Sequence, residues 1–210
     1  MDKRTKKEKI RFWRTWILLN AAFFIIGYIL IIIFGFLIME ALHLPKDEWG
    51  SPLLQITWKI GEGIIIGFSS GFIQWKLLRK VFNISSFWLY SIAIGIIIAE
   101  LIIGIILWKL NISRGEFSFW ENNPLPHALI ATIYGLLIGL IQLPLLRKHF
   151  FRSAFWIIAS TLAWGVSILI TAFRVTNDIL LLITFILGIL LYGAISGATL
   201  MWILKPKEIK

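Results

Sequence analysis

Two carboxylates interrupt apolar runs in which an acid has no ordinary structural use. Glu62 lies in Lys59-Ile-Gly-Glu-Gly-Ile-Ile-Ile and Glu100 in Ile-Ile-Ala-Glu-Leu-Ile-Ile. An ionisable group inside hydrocarbon is costly, and it marks a proton or ion pathway, a counter-ion for a ligand, or an ion pair. At 1.5 Å per residue, Glu62 lies roughly 9 Å and Glu100 roughly 12 Å from the outer ends of their spans. Arg174 closes the fifth apolar run on the same side, and His127 and Tyr134 occupy the outer half of the fourth. Together these five residues form a candidate polar pocket opening outward. The competing reading is one or two ion pairs that lock helices together, with Lys59 reaching out to the interface along its apolar stem.

Two rows of polar residues accompany the acids. Gln55, Glu62, Ser69 and Lys76 recur at intervals of seven, and a heptad row drifts by only about 20° per step on a straight helix. Ser160, Trp164, Ser167, Thr171 and Arg174 follow one another at spacings of four and three. Such rows on two helices could line a hydrated path between them. The hydroxyls alone decide little, because serine and threonine in membrane helices often bond back to their own backbone.

Other chemistry is missing. The chain has no cysteine, so it offers no disulfide framework, thiol nucleophile or cysteine zinc site. Its three histidines (His43, His127, His149) are scattered, and no HExxH, GxSxG or P-loop spacing occurs. No catalytic residue, metal or cofactor is expected, and an enzyme is disfavoured.

The elements that must position these residues follow from composition. Of 210 residues 59% are apolar and 15% charged, and the mean hydropathy is +0.85. Surface-to-volume scaling prevents a soluble fold of this size from hiding so much apolar surface; a lipid solvent removes the difficulty. Six apolar stretches, roughly 13–40, 56–77, 86–108, 127–146, 154–174 and 179–203, each approach the ~20 residues that span a bilayer. The first is longer than the ~7–15 residues of a signal-peptide apolar core, so it is expected to stay as a helix. The expectation is an all-α polytopic integral membrane protein, a single transmembrane domain of about six helices.

The net charge of +10 falls between the spans and not on a folded basic face, so nucleic acid is not an expected partner. Lys3, Arg4, Lys6, Lys7, Lys9, Arg11 and Arg14 precede or open the first span. Lys76, Arg79, Lys80, Arg147, Lys148, Arg152, Lys205, Lys207 and Lys210 fall on the same side. That makes sixteen, against five on the other side (Lys46, Lys59, Lys109, Arg114 and Arg174). The positive-inside rule then predicts both termini in the cytoplasm of a cell-membrane protein. Tryptophan agrees: Trp13, Trp16, Trp75, Trp88, Trp156 and Trp202 fall at inner boundaries, and Trp49, Trp58, Trp108 and Trp120 at or beyond outer ones. Arg79, Lys80, Arg147, Lys148 and Lys205 form an inner basic face suited to anionic lipid.

The segment from Gly67 to Trp88 returns as Gly135 to Trp156, 68 residues later. Gly67/Gly135, Gly71/Gly139, Gln74/Gln142, Arg79/Arg147, Lys80/Lys148 and Trp88/Trp156 all match. A weaker copy begins at Gly193 and Gly197, and Phe12-Trp13 opens the first span like the second half of a lost unit. Each unit is a helix, a short basic turn and a returning helix, so the copies run parallel. On the second span Gly63, Gly67, Gly71 and Gln74 share one stripe, as do Gly135, Gly139 and Gln142 on the fourth. Small residues at that spacing let helix backbones approach, and an amide nearby can bond across. The pattern Gly67-xxx-Gly71-xx-Gln74-Trp75-xx-Leu78-Arg79 resembles a group of largely uncharacterised multi-pass bacterial membrane proteins that carry several GxxxGxxQWxxLR units. The second copy departs from it at Leu143 and the third at Leu200. The resemblance implies a membrane class and topology, and no activity.

Two functions fit these features. One is a non-catalytic membrane subunit, anchor or sensor of a larger assembly, with a second copy or another membrane protein as its partner. The other is a small transporter or channel-like protein that passes a proton, cation or small solute through the outer pocket.

Overall fold

The computed structural model describes residues 3–42, 52–109, 124–172 and 178–203. Every long element among them is helical: α1 (Lys3–Leu42), α2 (Pro52–Val81), α3 (Phe87–Lys109), α4 (Pro124–Arg147), α5 (Phe155–Thr171) and α6 (Asp178–Ile203). Local chemistry marks the boundaries. Pro52 and Pro124 open α2 and α4, where the missing N–H costs nothing and the fixed φ suits a first helical turn. The Ser85 hydroxyl accepts a hydrogen bond from the Phe87 N–H at 3.2 Å as α3 begins.

The protein is an all-α polytopic membrane protein. Among the described residues, four stretches are long and apolar enough to cross a bilayer: Lys7–Ile38, Phe87–Ile106, Pro124–Arg147 and Ile179–Ile203. The other two helices differ for separate reasons. α5 is apolar but has 17 residues, about 26 Å at 1.5 Å each against a hydrocarbon layer of about 30 Å. α2 has 30 residues but is diluted by glycines and by Glu62, Ser69, Ser70, Gln74 and Lys76.

Each helix packs against its neighbours in sequence, and α6 returns to α1, so the six close into a ring. Neighbours run antiparallel: Gly63, Gly67 and Gly71 of α2 meet Ile96, Ala93 and Leu89 of α3 in reverse order. These approaches are close enough to require glycine. A Cβ on Gly67 would strike the Ala93 backbone, and one on Gly71 the Leu89 carbonyl. On α4, Gly135 meets Ser160 and Thr161 of α5, and Gly139 meets Ile157. On α6, Gly193 and Gly197 lie against Ile17, Trp13 and Trp16 of α1. Side-chain dispersion and backbone proximity bind the helices here, since lipid supplies no hydrophobic drive between them.

The turns 82–86 and 148–154, the start of α1 and the close of α6 share one end of the ring, called here the basic end. Its interior holds three fully buried tryptophans, Trp16, Trp88 and Trp156, packed with Leu78, Leu146 and Leu200. A second buried cluster includes Ile92, Ile96, Ile138 and Trp164, and many other apolar side chains point outward. Ile25, Ile29 and Ile33 of α1 and Leu181, Ile183 and Leu187 of α6 are exposed, as a lipid solvent allows.

Candidate functional site

Beyond the tryptophan core the ring encloses a cavity of about 200 Å³, to which all six helices contribute. Glu62 and Gly63 enter from α2, Glu100 and Ile96 from α3, and Tyr134 from α4. α5 supplies Trp164, Ser167, Ile168 and Thr171, while Phe24 and Tyr28 of α1 and Tyr192 of α6 complete the wall. The side chains reach the space because their helices meet on glycine: Gly63 brings α2 onto α3, and Gly188 brings α6 onto Ser167 and Thr171 of α5.

Aromatic rings set the floor. Phe24, Trp164 and Tyr192 contact one another edge to face at centroid distances of 5.3–5.9 Å. Tyr134 meets Trp164 at 6.1 Å in the same manner. Tyr134 donates its hydroxyl hydrogen to Glu100 Oε1, so an acid on α3 is tied to a phenol on α4. The Ser167 and Thr171 hydroxyls bond back to the Ala163 and Ile168 carbonyls of their own helix. They soften the wall without offering a strong site.

Beneath the floor lies a layer of amides. Gln74 Nε2 donates to Asn20 Oδ1 at 2.8 Å and to the Tyr192 hydroxyl at 3.1 Å, and Gln74 Oε1 accepts from the Trp88 indole at 3.2 Å. Gln142 Nε2 donates to Ser91 Oγ at 2.9 Å, and its Oε1 accepts from the Trp156 indole at 2.7 Å. Between α6 and α1, the Trp16 indole donates to Ser196 Oγ at 3.0 Å and the Trp13 indole to the Ala194 carbonyl at 3.2 Å. Asn20, Gln74 and Gln142 are at most 1% exposed. An unpaired amide would be expensive in such a medium, and mutual satisfaction turns these three into cross-braces.

Comparison of the chain with protein-family models, curated proteins and solved structures returned no match.

Three of the five residues of the expected pocket meet at the cavity: Glu62, Glu100 and Tyr134. His127 stands in the first turn of α4, outside the described lining. Arg174 lies outside the described residues. The two polar rows face each other only where Glu62 and the stretch Trp164, Ser167 and Thr171 line the one cavity. On α2, Glu62 faces the cavity, Ser69 bonds the Ile65 carbonyl beside Gly27 of α1, and Lys76 is exposed with its ammonium over Phe72. The Gln55 side chain is outside the described set. On α5, Ser160 is buried against α4, and Trp164, Ser167 and Thr171 line the cavity. Because α2 and α5 stand across the ring and are not neighbours, a path between two adjoining polar helices does not form. The helical twist carries each row from one partner to the next.

The expected packing residues Gly63, Gly67, Gly71, Gly135, Gly139, Gly193 and Gly197 all lie in helix contacts, and Gln74 and Gln142 are buried. At the basic end, Arg79, Lys80, Arg147 and Lys148 are exposed. The Arg79 guanidinium lies 5.1 Å from the Trp75 ring centroid. Lys205 lies outside the described residues. Sequence reasoning missed Asn20, Ser91, Tyr192 and Ser196. A lone asparagine within the first apolar run was the available signal for the amide layer.

Proposed function

We propose that the protein is a non-catalytic membrane subunit that senses a small ligand in the six-helix cavity and transmits occupancy to a partner at its basic end. The observation that carries this reading is the packed floor that closes the cavity towards the basic end. Below the cavity lie the aromatic floor, the buried amides and then Trp16, Trp88 and Trp156, so ligand entry and passage are separated. The amide layer ties the floor to the basic end through Tyr192, Gln74 and Trp88. Occupancy of the floor can thereby bias how the helices meet at that end, which is the differential contact a sensor requires.

The same reading takes the bundle as three parallel two-helix units: α2–α3, α4–α5 and a third made by α6 with α1. Three contacts support it: Gly67 and Gly71 lie on α3, Gly135 and Gly139 on α5, and Gly193 and Gly197 on α1. The bonds Gln74–Trp88 and Gln142–Trp156 each join residues 14 apart. Charge bias favours a cell-membrane location with both termini and the basic end cytoplasmic, next to anionic lipid. The partner is a second copy or another membrane protein.

The second reading is a small transporter for a proton, cation or small solute. A cavity closed on one side is also what one state of an alternating-access carrier presents. Two experiments separate them. Purification from native expression levels in mild detergent should retain a stoichiometric partner if the chain is a subunit. Reconstituted liposomes should show solute flux, lost in Glu62→Gln or Glu100→Gln, if it is a transporter; flux without a partner would overturn the subunit reading. A terminal tag reachable from outside intact cells would overturn the orientation.

A further inference from the structure

The two basic turns carry matching charges, Arg79-Lys80 and Arg147-Lys148, yet they shape different surfaces. At the basic end a cleft of about 470 Å³ opens between the turn 82–86 and the end of α4. Arg79, Asn83, Ser85 and Ser86 reach it from one stretch of chain, and Lys148 and His149 from another. Among the described lining residues there is no carboxylate. Three basic side chains and several neutral donors thus converge on one space.

A second cleft, beside the turn 148–154, supplies the comparison. Trp75, Arg79, Asn83, Ser85 and Ser86 have Leu143, Arg147, Phe151, Ser153 and Ala154 as counterparts 68 residues on, and those counterparts line the second cleft together with Phe150. There the amide has become a phenyl ring and one hydroxyl a methyl group. Arg147 is the one charged residue of its described lining. Setting the orientation of the spans needs charge at both turns. It does not need an amide and two hydroxyls gathered round the charge at one of them.

The first cleft is also arranged for an oxyanion. The Arg79 guanidinium lies 5.1 Å from the ring centroid of Trp75, itself a wall residue. A guanidinium held over a ring keeps its in-plane fork of N–H donors, and phosphate accepts that fork in bidentate fashion. The Ser85 oxygen accepts the Phe87 N–H, which leaves the hydroxyl hydrogen to donate. The rest of the wall, Trp75, Ile84 and Leu145, is apolar. Trp75 meets Phe72 at 6.3 Å between centroids, and Phe72 and Phe68 are exposed along α2. Polar cleft and lipid-facing surface are therefore continuous.

Resting on the reading that this end meets anionic lipid, and independent of what the six-helix cavity holds, we propose that the cleft binds the phosphate headgroup of an anionic membrane lipid. Arg79, Lys148 and His149 hold the phosphate with Asn83, Ser85 and Ser86, and the acyl chains lie against Phe72 and Phe68. A free phosphate would satisfy the donors but would leave that apolar surface uncovered.

The test titrates soluble dihexanoyl phosphatidylglycerol onto the full chain in non-ionic detergent and counts bound lipid by native mass spectrometry. The comparison arms are dihexanoyl phosphatidylcholine and inorganic phosphate. Saturable binding of phosphatidylglycerol is expected, with phosphatidylcholine about tenfold weaker and inorganic phosphate unable to displace it. Arg79→Gln and Lys148→Gln should each weaken binding about tenfold, as loss of a charged hydrogen bond predicts. Lys80→Gln and Arg147→Gln remove the same charge outside the cleft and should change it no more than about twofold. Asn83→Phe places the counterpart's ring at an exposed position and should abolish binding with every cation in place, which covers the case of a charge variant that fails to fold. Equal losses from all four neutralisations, or full binding by Asn83→Phe, would overturn the site in favour of a diffuse basic surface. Displacement by inorganic phosphate would overturn the lipid as its source, and absence of saturable binding would overturn the proposal outright. Both ends are open in detergent, so the terminal-tag experiment decides the orientation separately.

Discussion

The two halves of the ring use the same six helices to opposite ends. At the basic end, large side chains fill the interior: Trp16, Trp88, Trp156, Leu78, Leu146 and Leu200 are at most 1% exposed. The amides above them donate and accept within a closed network. In the other half the helices enclose about 200 Å³ of open space whose lining includes two acids. One half has been optimised for contact and the other keeps a space. The sequence draws the same line: 68 residues on from Glu62 and Glu100 stand Ile130 and Ile168, whereas Gly67, Gly71, Gln74 and Trp88 keep their identities.

That contrast can be broken from either side. The largest effect is expected from Gly67→Leu, since even a Cβ at this position meets the Ala93 backbone. Overpacking should cost about 3 kcal/mol or abolish folding, measured as unfolding in mixed detergent micelles. Next comes Gln74→Leu, which leaves the Trp88 indole and the Asn20 carbonyl oxygen without their partner. Orphaned buried groups predict a loss of roughly 1–3 kcal/mol in the same measurement. Gln142→Leu strands the Trp156 indole but affects fewer partners, and should fall at the lower end of that range.

Changes on the cavity side should be milder for stability and sharper for binding. Tyr134→Phe removes the hydroxyl that donates to Glu100, and one interhelical hydrogen bond in a membrane is worth about 0.6 kcal/mol. Glu62→Gln keeps the side chain's size and its capacity to hydrogen-bond, and should shift stability least. If instead it destabilises the bundle as much as Gln74→Leu, the acid belongs with the braces and the contrast between the halves fails.

Much of the architecture was legible beforehand. The expected stretch 86–108 became Phe87–Lys109, and 179–203 became Asp178–Ile203, because apolar run length and flanking charge are local properties. The glycine stripes were legible for a related reason, as three- and four-residue spacing fixes a helix face. The polar rows were legible only in part. A row with sevenfold spacing shares a face only approximately, and in a ring that face passes across successive neighbours. Ser69 therefore ended beside α1 and Lys76 at the exposed surface.

What the chain alone determined is its solvent, its helices and their close-contact faces, because hydropathy, proline placement and glycine spacing act over one or two turns. Only the tertiary structure decided that α6 closes onto α1, that Asn20 and Tyr192 join Gln74, and that Glu62 and Glu100 share one space with six aromatic side chains. Those pairings join residues up to 181 positions apart. They depend on how the helices are rotated when the ring closes, which no local pattern encodes.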